Sequence, residues 1–210
     1  EDIFRLLRGL DPKRHLIHSE GILDVLDHSS PTTGYGAKLA IDLTDIDLKR
    51  VPASLPAPRT ARPVGGVELF NTELTRETGL LILYAEWEWH ETIDVERYLA
   101  ENNIEGIKYV ALFDRGAAGY MRASDLLWLA AANTDPKRDI RLFGDVVIID
   151  ARSKRPGYGN NPKRFPNVVT SSTDTIHYVD ERWAEYGIGE LVESPSRRYR
   201  KLWLSEGAEW

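Results

Sequence analysis

Hydrophobic and polar positions alternate along this chain in blocks that predict helices and strands in turn. Apolar residues at Ile3, Phe4, Leu7 and Leu10 keep helical spacing, and the same spacing recurs from Ile93 to Glu101 and through Leu126, Leu127, Trp128 and Ala131. Ser124 is the expected cap of that third helix. Short apolar runs at His15 to His18, Lys38 to Thr44, Val67 to Leu74, Leu80 to Glu86, Ile107 to Phe113 and Val146 to Asp150 read as strands. A helix from about Thr173 to Tyr186 and a last one from Arg197 to Leu204 complete the pattern. Strands that alternate with helices predict an α/β fold, a mostly parallel sheet flanked by helices and joined by right-handed crossovers.

Prolines interrupt this pattern and set the expected domain organisation. Pro52, Pro56, Pro58 and Pro63, followed by Gly65-Gly66, suit neither a helix nor a central strand. Residues 49–66 therefore read as a linker between a first segment, 1–48, and a second α/β segment with C-terminal helices, 67–210. A Gly/Pro/Asn loop is expected from Arg155 to Pro166. The chain opens without methionine, directly into the first helical pattern, which reads as a C-terminal piece of a longer chain.

The two segments share a sequence unit. Asp11-Pro12-Lys13-Arg14 and Asp135-Pro136-Lys137-Arg138 each follow a helical pattern and lead through a strand to Ile-Asp, at Ile41-Asp42 and Ile149-Asp150. We expect an internal repeat of helix-(Asp-Pro-Lys-Arg)-strand units, in which proline stops the preceding helix and Lys-Arg complements its negative end. Arg14 to Asp42 spans 28 positions against 12 from Arg138 to Asp150, so the first copy carries 16 residues more, an inserted loop at 19–34.

That insertion concentrates polar chemistry. Asp27, His28, Ser29 and Lys38 could supply an acid/base, a hydroxyl and an anion clamp, and Gly34 and Gly36 would allow a ligand close to the backbone. The same residues also suit a surface loop closed by side-chain to backbone bonds. Triad members meet through space, so adjacent Asp-His-Ser is not a hydrolase signature.

Composition narrows the remaining options. The 210 residues, 42% of them hydrophobic, suffice for a sizeable core. A net charge of −6 argues against a general nucleic-acid partner. No cysteine is present, which excludes disulfides, thiolate metal sites and cysteine nucleophiles and fits a reducing, cytoplasmic compartment. No apolar run approaches the length of a membrane span, so no membrane insertion is expected. His15, His18, His28, His90 and His177 show no zinc spacing; His15 and His18 would fall on opposite faces of a strand. Glu86, Glu88, His90 and Glu91 alternate with Trp87 and Trp89 as a strand end. Two basic patches remain, Arg152, Lys154, Arg155, Lys163 and Arg164, and Arg197, Arg198, Arg200 and Lys201. Both read as solvated faces or as docking surfaces. There is no GxGxxG and no Walker loop.

Several of these segments, in order, resemble the C-terminal region of UbiD-type decarboxylases, nearest to the branch associated with menaquinone biosynthesis. They are Asp11-Pro12-Lys13-Arg14, Leu26-Asp27-His28-Ser29-Ser30-Pro31, Gly36-Ala37-Lys38 running into Ile41-Asp42-Leu43-Thr44, Leu127-Trp128, Asp135 to Asp139, Ile149-Asp150-Ala151, Arg182-Trp183 and Glu193-Ser194-Pro195-Ser196. Ala37, Ala40 and Leu43 depart from the family's small residues, and no lysine follows Thr44. The resemblance implies a non-oxidative decarboxylation of an aromatic or α,β-unsaturated carboxylic acid, dependent on prenylated FMN and a divalent metal. The family's catalytic residues and its flavin and metal ligands lie in an upstream flavin-binding region, so no catalytic residue is carried over. The C-terminal domain would close over the flavin site and help to oligomerise. By position, Leu26 to Pro31 would face the substrate, with Leu26, Asp27, His28, Ser29 and Lys38 as candidates. The helix at 195–204, with Tyr199, Leu202 and Trp203, would serve subunit contact in a homo-oligomer.

Overall fold

In the computed structural model the described residues are all but 1, 52–60, 70–72, 74, 77–78, 86–94, 118–121, 155, 157–164 and 204–210, with residues 2 and 3 described by their backbone. They fall into two compact units, Glu1–Phe165 and Pro166–Trp210. The first unit thus runs across the expected linker, of which 52–60 lie outside the described residues.

Five strands form the main sheet of the first unit: β3 (Val67–Leu69), β4 (Leu80–Ala85), β5 (Tyr109–Asp114), β6 (Ile140–Phe143) and β7 (Val146–Asp150), in the order β3-β4-β5-β7-β6. The three central strands are parallel and the two edges antiparallel. This agrees with the sequence, because β4, β5 and β7 are nearly continuous apolar runs, as strands covered on both faces require. One face packs Leu81, Leu83, Val110, Leu112 and Ile148 against Val95, Tyr98 and Leu99 of α3 (Val95–Glu101). Around Tyr109 and Val147 a second cluster gathers Leu10, Leu7, Leu16 and Ile140. The opening helix α1 (Asp2–Gly9) and the residue after it thereby join the first segment to the sheet.

Each Asp-Pro-Lys-Arg begins a helix where a stop was expected. Asp11 caps the single turn α2 (Pro12–His15), its carboxylate accepting from Lys13 N at 3.0 Å. Asp135 caps α5 (Pro136–Asp139), accepting from Lys137 N at 3.1 Å and Arg138 N at 3.0 Å. Proline at the first helical position has no N–H to leave unpaired and is preset to helical φ, so the same residue that ends one helix opens the next. After α2 the chain forms an antiparallel hairpin, β1 (Leu16–Ile22) with β2 (Tyr35–Ile41), a separate two-stranded sheet. After α5 comes the hairpin β6–β7, of which the sequence reading gave only the second strand, Val146 to Asp150; Gly144, at φ 59°, supplies the positive φ that the two-residue loop Gly144-Asp145 needs.

Other boundaries moved for local reasons. Helix α4 (Ala123–Asn133) has its cap at Arg122, not Ser124: the Asp125 carboxylate folds back to accept from Arg122 N at 3.0 Å. The expected helix to Tyr186 breaks at Arg182, whose ψ of 5° is non-helical, into α6 (Thr173–Glu181) and α7 (Trp183–Tyr186). The last helix is one turn, α8 (Ser196–Tyr199), running into a 3-10 turn, Arg200–Leu202. Leu74, the Glu86 to Glu91 stretch with His90, and Lys163 and Arg164 lie outside the described residues. No helix among the described residues is long and apolar enough to cross a membrane.

Candidate functional site

The loop between β1 and β2 is closed by its own side chains. Asp27 accepts through Oδ1 from Ser29 N at 2.9 Å, Ser29 Oγ at 2.7 Å and Ser30 N at 3.3 Å. Burial pushes the Asp27 carboxyl up, but these donors and His28 outweigh it, and the group sits below the usual carboxylate range. Ser30 is fully buried, with Oγ 2.7 Å from Tyr35 O and 2.9 Å from Thr32 O. The His28 ring meets Phe165 edge to face, with centroids 4.9 Å apart.

Gly36 is held close, but to the protein and not to an open ligand space. A Cβ there would stand 2.6 Å from both Leu23 Cδ1 and Ser30 Oγ and 3.1 Å from Asp135 Oδ2. Asp135 Oδ2 also accepts from Ala37 N at 3.3 Å, so one buried aspartate caps α5 and ties down β2. Gly34, at φ 74°, makes the turn back into β2.

Of the five sequence candidates, the structure joins Asp27 to Ser29 and sets His28 against Phe165. Lys38 lies exposed on β2 opposite Ser19 and shares no hydrogen bond with the other four. Leu26 points its side chain into solvent at 81% exposure, next in sequence to exposed Val25, and the pair Ile22 and Tyr35 at the strand ends is also exposed. The loop is therefore a rigidly capped base under an apolar tip. Such a surface can cover an apolar ligand or partner, whereas its two carboxylates are occupied in holding the loop, Asp24 accepting from Leu26 N at 2.8 Å and Asp27 from Ser29 and Ser30.

His15 belongs to α2 and not to the strand. It is buried, accepts from Asp11 N at Nδ1 at 2.7 Å, and so carries its proton on Nε2, which donates to Asp45 Oδ1 at 2.8 Å. His18 is exposed on β1. Among the described residues no three His, Asp or Glu side chains converge as metal ligands.

Sequence reasoning missed the most strongly organised polar group, which lies where β7 ends. Arg152 and Lys154, expected on a basic surface patch, are buried. Arg152 grips Asp150 with two bonds, 2.9 and 2.6 Å, and Arg138 grips Asp139 likewise at 2.8 and 2.7 Å. Lys154 Nζ donates to the carbonyls of Asp150 at 2.5 Å, Arg152 at 2.7 Å and Asn133 at 3.3 Å, with Asp139 at 3.5 Å. Desolvation holds the Lys154 ammonium below its ordinary value and lifts Asp139 above its own, against the pull of their partners. Beside them Asp114, at the end of β5, accepts from Ser153 N at 2.8 Å through Oδ2, while its Oδ1 is buried without a partner. Burial raises that carboxyl, with the Ser153 N–H and Arg152 opposing. The only signal in the sequence was acids and bases alternating just past two apolar strands. The other basic patch is partly spent within its unit: Arg197 meets Asp180 at 3.2 Å, and Arg200 donates to Thr173 Oγ1 and Ser171 O, both at 2.8 Å.

No family model matches this sequence. Two Helicobacter pylori proteins, from strains J99 and 26695 and each named only as an uncharacterized protein, are 25% and 24% identical to it over 182 residues, 80% of this chain. The chain spans about a quarter, 27%, of the length of these curated relatives.

Proposed function

We propose that this chain acts as the C-terminal lid and subunit-contact domain of a UbiD-like non-oxidative decarboxylase, cytoplasmic and active on an aromatic or α,β-unsaturated carboxylic acid, quinone precursors among them. The observation that carries the reading is the β1–β2 loop: a self-capped base, Asp27 to Ser30, that holds Leu26 and Val25 in solvent. It coincides with the segment that the family resemblance makes substrate-facing. The much greater length of the Helicobacter relatives is consistent with a partner region elsewhere in a longer polypeptide. In this reading the two Asp-Pro-Lys-Arg units are copies of one ancestral helix-turn-hairpin.

Prenylated FMN and a divalent metal would supply the chemistry of the whole enzyme. The described residues do not fit a metal, since no ligand set converges among them. What this chain's residues would do is exclude water above the site through Leu26 and Val25 and hold that cover in place through Asp27.

The test is Leu26→Asp in the longer polypeptide. A lid role predicts a raised KM or lowered kcat for an aromatic acid with the fold unchanged by circular dichroism; unaltered kinetics would count against the loop as a cover.

A second reading has one observation in its favour. In the C-terminal unit Ile176 alone is buried among the described residues, while Val169, Tyr178, Tyr186, Ile188, Leu191, Val192 and Trp203 are exposed. A unit with so little core of its own suits a docking arm, through 195–204, for a second copy of the chain. Light scattering with and without residues 195–210 separates the two, since an unchanged monomer removes docking through this segment.

A further inference from the structure

The strand β1 is seven residues long, regular in register with β2 over its whole length, and exposed at five of those seven positions. Its inner edge pairs with β2. Among the described residues, none bonds to the backbone groups on its outer edge from Leu16 to Ile22. Folded proteins ordinarily blunt such an edge with proline, lysine, a bulge or a covering element, because free N–H and C=O groups in a row are a template for another strand. Neither proline nor lysine occurs in Leu16-Ile17-His18-Ser19-Glu20-Gly21-Ile22, and its pairing with β2 has no bulge.

The sequence of this edge is complementary to itself. If two copies meet antiparallel about Ser19, Leu16 stands opposite Ile22, Ile17 opposite Gly21, His18 opposite Glu20, and Ser19 opposite Ser19. Directly opposed side chains share a face, so the two-fold axis yields two His-Glu pairs flanked by two apolar pairs, the arrangement that stabilises antiparallel strands. Within its own chain Glu20 meets Lys137 at 2.6 Å, an exposed ion pair that leaves its second carboxylate oxygen for the histidine. An offset of one residue would set Glu20 against Ile17 and lose both matches. A two-fold contact of this kind is isologous and closes on itself.

We propose that β1 is a self-association edge, through which a second copy of this chain adds antiparallel, centred on Ser19, to make a four-stranded sheet β2-β1-β1-β2. The proposal does not rest on the decarboxylase reading and uses a different surface from residues 195–204. The contact is small and so a weak one by itself, strengthened wherever the chain is held at high local concentration.

The absence of cysteine makes a direct probe available. In Ser19→Cys the two sulfurs would face each other across the axis, at a Cα separation that either kind of antiparallel pair keeps within disulfide range. Under mild oxidation this variant of the full chain should form a covalent dimer at least tenfold faster than Glu105→Cys, an exposed control away from the edge. Sedimentation velocity supplies the second arm. His18→Glu sets glutamate against Glu20 twice and should weaken association about tenfold, and His18→Glu with Glu20→Lys should restore it. Three results would each overturn the proposal: a chain that stays monomeric up to millimolar concentration, a Ser19→Cys variant that crosslinks no faster than Glu105→Cys, or a double variant no better than the single.

Discussion

Replacing Lys154 by methionine should strongly destabilise the first unit. The substitution keeps most of the volume but removes an ammonium that satisfies three carbonyls, of Asp150, Arg152 and Asn133, and stands 3.5 Å from Asp139. Lys154 and Asp139 are both buried, so no water replaces the lost contacts. Removing one partner of a buried pair costs about 3–5 kcal/mol. Three orphaned carbonyls at roughly 1 kcal/mol each fall in the same range, so the two estimates describe one effect of about 4 kcal/mol. Against a typical total of about 5–15 kcal/mol this is a large fraction. Urea unfolding followed by tryptophan fluorescence reads it as a shift in midpoint at constant slope. Asp139→Asn in the same chain should deepen the loss and not relieve it, because Arg138 still grips Asp139 with two bonds and would be left without its carboxylate. A loss below about 1 kcal/mol, or a gain, would refute the view that the ammonium holds the ends of α4 and β7 together.

Three further outcomes follow from the same contacts. Asp135→Ala should cost about 2 kcal/mol and Asp11→Ala about 1 kcal/mol, since both lose a helix cap but only Asp135 is buried and also bonds Ala37 N; equal losses by denaturant unfolding would contradict this. Asp114→Asn should stabilise the chain at neutral pH. A carboxyl raised by burial binds its proton more tightly when folded, so its contribution is intact below the ordinary aspartate value and is lost as pH rises through the raised one; wild-type stability should therefore fall across the mildly acidic range more steeply than that of the variant. Gly36→Ala should disorder the 23–34 loop, with amide shifts at Leu23 and Ser30, because its methyl would stand 2.6 Å from both side chains.

The centre of the fold was legible because β4, β5 and β7 are apolar runs too short for helices and too continuous for a half-exposed sheet. The edges were less so. Ile140 to Phe143 alternates only weakly and adjoins β7 across two residues, so hairpin and single strand look alike until Gly144 is seen to take positive φ. The capping of α2 and α5 was missed by weighing proline only as a terminator, although the aspartate before it is equally a start signal. In the inserted loop the sequence offered Asp27 and Ser29 both as candidate chemistry and as loop-closing residues, and the structure bonds Asp27 to Ser29 and Ser30. The burial of Arg152 and Lys154 depends on Asp139, whose approach is set by the β6–β7 hairpin and by no local pattern.

On the proposed reading the chain serves a decarboxylase without containing its chemistry. The direct measurement is carbon dioxide release from a panel of aromatic carboxylic acids, by the purified 210-residue chain alone and by the longer polypeptide with its flavin-binding region loaded. The account predicts turnover by the longer polypeptide and none by the chain alone. Turnover by the isolated chain, or a longer polypeptide that carries no flavin-binding region, would contradict it.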